Sequence, residues 1–348
     1  MQSNSSINLI VGMINKSQNS RQLKENDEDE DEDDHVDWPA GLPLRYTFQE
    51  LKNATNNFSV KLGSGVFVSV YEGVLAESSK IAVKRLDGAG QGKREFRAEV
   101  ETLGKIDHLI LVRLKGFCAE TAYRMLVYEH LPNGSLDKWI FSNNMHVHLL
   151  DLKTRYRIVL NIARGLTYLR EDCREKIIHF DIKPQNQNIL LYQNFNGKVS
   201  DFGLAKLVNR DQSEVITILR GTPGYMAPEL LNLHTTEKSD ISNFGVMVIE
   251  IVSRKRSREL SQDGLLSLLQ VKAREGKLID LVYPGLENEE AGVKEKSIKL
   301  LKVGMWCVQD NFTRRPAMST VVKALEGLID KFDDVPSSLT ESTGASNQ

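Results

Sequence analysis

The sequence predicts an α+β protein of two lobes, a small antiparallel β-sheet lobe carrying one helix and a larger, mainly helical lobe. Three observations carry this expectation. From Lys61 to about Val127 the text is strand-like, with the β-branched or apolar runs "VFVSVYEGVL", "KIAVKRL" and "RMLVYEHL" separated by Gly, Ser or charged stretches. One helical segment interrupts them, "KREFRAEVETLGKI", where Phe96, Val100 and Leu103 recur at i, i+4 and i+7. Past "LPNGSL" the apolar period changes to helical.

In chain order, residues 15 to 37 are polar and dominated by the block "EDEDEDD", which repels itself and reads as a solvated, disordered acidic leader over 1 to 45. In "RYTFQELKNATNNF" a helix is expected to begin near Thr47 and to close at the Asn pair, within 46 to 57. The globular domain then runs from 58 to 331, with its strand-rich lobe over 58 to 130 and its helical lobe over 131 to 331. Within the second lobe, "TRYRIVLNIARGLTYLR" places Ile158, Ile162, Leu166 and Leu169 along one stripe, whereas "ISNFGVMVIEIV" is apolar nearly all round, as a helix buried in a larger domain must be. The last strong helix, "MSTVVKALEGLI", starts just after Pro316, and the polar tail at 332 to 348 is expected to fray. No internal repeat appears at a solenoid period.

With 348 residues and 41% apolar content the chain can bury a sizeable core. The net charge of −2 is unevenly spread, because residues 1 to 37 carry 10 acidic and 3 basic groups and leave 37 acidic against 42 basic groups beyond. That body is too weakly basic to argue for nucleic acid. Cys118, Cys173 and Cys307 are odd in number and far apart, which fits a reducing compartment better than a disulfide framework or a CxxC metal site. The apolar run "INLIVGMI" has eight residues where a spanning helix needs about 20, and no cationic segment precedes it, so neither a membrane span nor a secretion signal is read in this chain.

The chemistry sits in ordered motifs. Read alone, "LGSGVFVSV" (62 to 70) is a glycine-rich hairpin, but Gly63 and Gly65 ahead of Val70 let backbone N–H groups approach phosphate oxygens, since no Cβ intervenes. Fourteen residues beyond Val70 stands Lys84, which by itself would be a snorkelling surface charge. Glu99, fifteen residues further and beside the apolar stripe of its helix, needs a partner if that face packs inward; a Lys84–Glu99 pair would hold an ammonium over the α- and β-phosphates of ATP. In "HFDIKPQN", Asp181 can accept a hydrogen bond from a substrate hydroxyl and take its proton, while Lys183 can neutralise charge on a transferring phosphate. A capped turn explains that stretch equally well until "VSDFG" appears, where Asp201 can ligate Mg²⁺, Phe202 packs inward and Gly203 permits a sharp turn. "GTPGYMAPE", "EKSDISNFG" and "RRP" complete the series.

Those motifs in that order resemble a eukaryotic protein kinase over roughly residues 58 to 331. More narrowly, "ATNNFSVKLGSG", "QGKREFRAEV", "LVRLKGFCAE", "WCVQD" and "VVKALEG" are similar to the intracellular kinase domains of plant receptor-like kinases, especially the lectin and S-domain types. The resemblance implies a two-lobed Ser/Thr kinase that binds ATP with Mg²⁺ or Mn²⁺ in its cleft, acts on protein substrates and works with a membrane receptor complex. It implies a cytoplasmic location, at the inner face of the plasma membrane through partners or through an N-terminal span outside this chain. Leu62, Val70, Ala82 and Leu190 would enclose adenine, Tyr128 would be the gatekeeper, and Glu129 to Leu131 the hinge. His179, Phe202 and Gly203 would be structural, Asp240 would brace the catalytic loop, and Glu229 would pair with Arg315. Ser213, Thr217 and Thr222 would be the phosphorylation candidates.

Three departures stand out. Phe180 occupies the place of an arginine that anchors a phosphorylated activation loop in many kinases, so weak coupling between loop phosphorylation and activity is expected. Val68 replaces a third glycine, at a position where the strand resumes. "QNQN" is two residues longer than the usual pattern: Asn186 keeps the spacing from Asp181, whereas Asn188 as metal ligand restores Leu190 as the adenine floor and makes the turn absorb the surplus. The second alternative is favoured, and the insertion opens the rival reading of a pseudokinase scaffold that retains ATP without transfer.

Overall fold

The computed structural model describes residues 41–329 apart from 66, 87–90, 121, 144–148, 186, 211–213, 217–220, 233, 258–263 and 287–291. The acidic block and the polar tail lie outside the described residues.

The first lobe is built on six strands, β1 (Leu44–Arg45), β2 (Lys61–Ser64), β3 (Val68–Val74), β4 (Lys80–Leu86), β5 (Leu114–Glu120) and β6 (Tyr123–Glu129). Helix α1 (Phe48–Ala54) lies between β1 and β2, and α2 (Gln91–Leu103) between β4 and β5. The sheet order is β1-β5-β6-β4-β3-β2. All neighbours are antiparallel except β1 with β5. The pleat of β4 sends Ile81 and Val83 into a cluster with Cys118, Met125 and Val127, which α1 closes with Leu51. Lys84 therefore points to the opposite face, towards α2 and the cleft. Across that face Gly63 pairs with Val70, Val70 with Lys84, and Lys84 with Leu126, forming one transverse row.

Helix α1 begins where its capping signal stands. The Thr47 side chain accepts from the Glu50 amide, and the Glu50 carboxylate receives the Thr47 amide at 2.7 Å. Such reciprocal caps satisfy amide groups that the first helical turn leaves free. In α2 the expected stripe of Phe96, Val100 and Leu103 is buried.

The second lobe carries α3 (Asp137–Ile140), α4 (Leu152–Thr167), α5 (Ser239–Ser253), α6 (Gly264–Arg274), α7 (Val293–Cys307) and α8 (Met318–Leu325). Short antiparallel pairs sit between α4 and α5: β7 (Lys176–Ile178) with β10 (Lys206–Val208), β8 (Ile189–Leu191) with β9 (Gly197–Val199), and β11 (Glu214–Ile216) with β12 (His234–Thr236). Ile158, Ile162, Leu166 and Leu169 are all buried, and every residue of α5 is buried. Helices α5 and α7 meet through glycine: a Cβ at Gly245 would stand 2.6 Å from Val308 Cγ1, and one at Gly304 2.7 Å from Ile249 Cγ1. That approach exists because neither glycine carries a Cβ. The last helix is shorter than its apolar run, ending at Leu325 with Gly327 in a left-handed conformation. All three cysteines are free and buried. No helix among the described residues is long and apolar enough to cross a membrane.

Candidate active site

Lys84 reaches from β4 into the cleft between the lobes. Its Nζ lies 3.1 and 3.0 Å from the two carboxylate oxygens of Glu99 on α2 and 2.8 Å from Asp201 Oδ1. Burial alone would depress this ammonium, but the charges of Asp201 and Glu99 outweigh it and raise the Lys84 pKa. At Asp201 burial pushes upward and the Lys84 ammonium wins, so its carboxyl is held below the ordinary aspartate range. Asp201 itself adopts a left-handed backbone, φ 64°, immediately before the short turn of Phe202 and Gly203. Tyr128 on β6 donates its hydroxyl to Glu99 Oε2 at 2.8 Å, which gives the buried carboxylate a second partner.

Asp181 is the focus of the opposite wall. Lys183 Nζ donates to Asp181 Oδ2 at 2.5 Å, and the Thr222 hydroxyl donates to Oδ1 at 2.6 Å. Asn188 Nδ2 donates to the Asp181 backbone oxygen at 2.7 Å and to Oδ2 at 2.8 Å. Hence Asn188, at the end of the insertion, sits against Asp181, while Asn186 lies outside the described residues. Gln187 takes up the surplus in a left-handed conformation, φ 68°. Strand β8 follows at once, with Leu190 paired to Lys198. Ser213 and Thr217 also fall outside the described residues.

The loop that carries Asp181 is held from below. Asp240, at the start of α5, accepts the amides of His179 at 2.8 Å and Phe180 at 2.7 Å, and pairs with Arg170 at 2.6 Å. Asn243, one helical turn on, donates to the Phe180 oxygen. His179 Nδ1 accepts the Asp181 amide, so Nε2 carries the proton and donates to the Ser200 oxygen at 2.9 Å. Phe180 is fully buried with Ile178, Val208, Ala227 and Leu230, an apolar seat beneath the segment that follows "DFG". Glu229 and Arg315 form a two-pronged pair at 2.7 and 2.8 Å.

Val70, Tyr128 and Leu131 are buried, and Leu62, Ala82 and Leu190 are partly so. Val68 belongs to β3 opposite Leu86 and is absent from the residues with left-handed backbone, so a β-branched side chain costs no strain there. The donor set fits a hard divalent cation: Asn188 Oδ1 is buried and meets no hydrogen-bond donor among the described residues. Asn188 is joined to the segment ahead of Asp201 through its backbone oxygen, which accepts the Ser200 amide at 2.8 Å, and a buried amide oxygen with an ionised carboxylate is an oxygen-ligand set.

Several residues at the site were not singled out from sequence. Lys198 of β9 donates to Glu129 Oε1 at 2.6 Å, and the same oxygen accepts the Arg113 amide at 2.9 Å. Glu250 of α5 lies under Tyr225 and Gln185, with the Tyr225 hydroxyl 2.6 Å from Glu250 Oε2 and 2.5 Å from Gln185 Oε1. Burial pushes the Glu250 carboxyl up to about 7. A single acidic residue inside the otherwise mostly apolar "ISNFGVMVIEIV" was the available signal for Glu250. For Lys198 no local pattern existed.

A family model described as "Protein kinase domain" matches residues 57–325. Among relatives, the chain is 49% identical over 294 residues, 83% of its length, to the G-type lectin S-receptor-like serine/threonine-protein kinase SD2-5 of Arabidopsis thaliana, of which it covers 35%. It is 42% identical over 333 residues, 91% of its length, to SD2-2 of the same description and plant, covering 40% of that protein. To the rust resistance kinase Lr10 of Triticum aestivum it is 42% identical over 305 residues, covering 84% of this chain and 47% of the relative. The chain thus spans about a third to a half of the length of these relatives. Two lobes, a lysine bound to both its helix partner and the "DFG" aspartate, and a match over most of its length place this chain in the protein kinase family.

Proposed function

We propose that the chain is an ATP-dependent protein serine/threonine kinase with its reaction centre between Asp181 and Asp201. The observation that carries this reading is the convergence of Lys183, Thr222 and Asn188 on the Asp181 carboxylate, facing Lys84 and Asp201. Bound ATP supplies the electrophilic terminal phosphoryl group, and its divalent cation, magnesium or manganese, screens the charge on it. Asn188 Oδ1 and the Asp201 carboxylate would hold that cation. Lys84, fixed by Glu99, would orient the α- and β-phosphates, while Leu62, Val70, Ala82 and Leu190 would enclose the base beside the Glu129 to Leu131 hinge.

Asp181 orients the incoming hydroxyl and takes its proton as the oxygen becomes bonded to the γ-phosphorus, while the bond from that phosphorus to the β,γ-bridging oxygen breaks and ADP leaves. Lys183 stabilises the negative charge on the transferred group, and the Thr222 hydroxyl holds Asp181 Oδ1 in place. Asp240 keeps the loop rigid by occupying two backbone amides, so the base need not reorganise during the step. The substrates in this reading are hydroxyl-bearing protein segments, the partners include a membrane receptor complex, and the location is cytoplasmic, at the inner membrane face.

Purified full-length protein is expected to incorporate labelled phosphate into itself or a generic basic protein with Mg²⁺, and Asp181→Asn to abolish it. Equal silence of both proteins, with nucleotide still raising Tm, would establish the scaffold reading instead.

A further inference from the structure

The insertion has a consequence beyond lengthening the loop. Gln187 stands directly before Asn188, and its side chain crosses the cleft to the glycine-rich hairpin. A Cβ built at Gly63 would collide with Gln187 Nε2 and lie 3.3 Å from its Cδ. Gly63 accepts this amide only because it lacks a side chain. Gly63 also belongs to the transverse row that runs through Val70 to Lys84, whose ammonium touches Asp201. On the other side, Asn188 is bonded to Asp181. The Gln187 amide therefore bridges the lobes across the gap that the phosphates of a nucleotide must enter.

We propose that Gln187 is a latch on the glycine-rich hairpin, and that nucleotide phosphate competes with its side chain for the space beneath Gly63. This rests on the kinase reading only for the identity of the competitor. Gln187 combines a left-handed backbone, φ 68°, with a side-chain amide packed against Gly63. Asparagine tolerates that backbone and keeps the amide, yet is one methylene shorter and cannot reach Gly63. Glycine removes the side chain altogether.

Two measurements on the full chain decide it, with Tm as the control for folding. In hydrogen exchange without nucleotide, Gln187→Asn and Gln187→Gly are expected to speed exchange of the amides of residues 62–70, while the amides of α5 stay unchanged. In titrations with Mg²⁺ and ADP, both variants are expected to bind about threefold to tenfold more tightly, because phosphate no longer has to displace the Gln187 side chain from beneath Gly63. Unchanged exchange in the hairpin would overturn the latch. Faster exchange with equal or weaker ADP binding would overturn the competition, weaker binding meaning that Gln187 contributes to holding the nucleotide. If no protein binds ADP, the nucleotide reading itself fails, and the exchange result still decides whether the latch exists.

Discussion

Asn188 donates from one amide nitrogen to both the backbone oxygen and the carboxylate of Asp181, seven positions earlier. This doubled bond orients the Asn188 side chain so that Oδ1 remains a buried, unbonded acceptor among the described residues. A sheet pair on one side and a bonded aspartate on the other leave the two extra residues to the turn.

Asn188→Ala is expected to remove the buried oxygen proposed as a cation ligand and one of the donors to Asp181 together. Phosphate transfer should fall by about a hundredfold or more, the scale on which catalytic groups displaced by about 1 Å lose rate. Asn186→Ala should leave turnover near wild type. Steady-state assays over a range of Mg²⁺ concentrations compare the two, and the reverse ranking would assign the metal to Asn186.

Lys84→Met leaves the Glu99 and Asp201 carboxylates facing each other without their shared cation. Breaking a buried pair in this way costs about 3 kcal/mol. The variant should be silent in phosphate transfer and melt several degrees lower. Calorimetry showing an unaltered Tm would mean that solvent already carries that pair.

Glu250 links stability to pH. The Tyr225 hydroxyl has one hydrogen for two close oxygens, Gln185 Oε1 and Glu250 Oε2, so a proton on Glu250 completes the network. Its folded pKa is about 7 against an ordinary 4.5. A raised folded pKa means that the contribution is full below about 4.5 and is lost as pH rises through about 7. Glu250→Gln, which mimics the protonated form, should flatten this dependence and be the more stable protein above pH 7, by roughly 3 kcal/mol at most. Denaturant melts of both proteins at pH 5 and pH 8 test it; parallel shifts would show that Glu250 is ionised throughout.

Phe180 replaces an ionic anchor with an apolar one. Phe180→Ala should cost about 3–5 kcal/mol because it empties a fully buried aromatic site. Alanine at Ser213 or Thr217 should change turnover little, because no cation stands at position 180 to receive a phosphate. Kinetics of the dephosphorylated protein supply the check, and a collapse of activity after phosphatase treatment would point to a different anchor.

Much of this was legible in the residues alone. The change of apolar period marked the two lobes, Thr47 and Glu50 marked the first helix, and the motifs marked Lys84, Glu99, Asp181 and Asp201 as one set. These are short-range statements, since strand pleat, helix period and turn chemistry act between residues a few positions apart. Tertiary packing decided that Asn188 meets Asp181, that Phe180 finds an apolar seat, that Glu250 is buried against Tyr225 with its carboxyl pKa raised, and that Gln187 reaches Gly63. Each depends on how much room two distant segments leave between them, a quantity set by close-packed contacts through space and carried by no spacing along the chain.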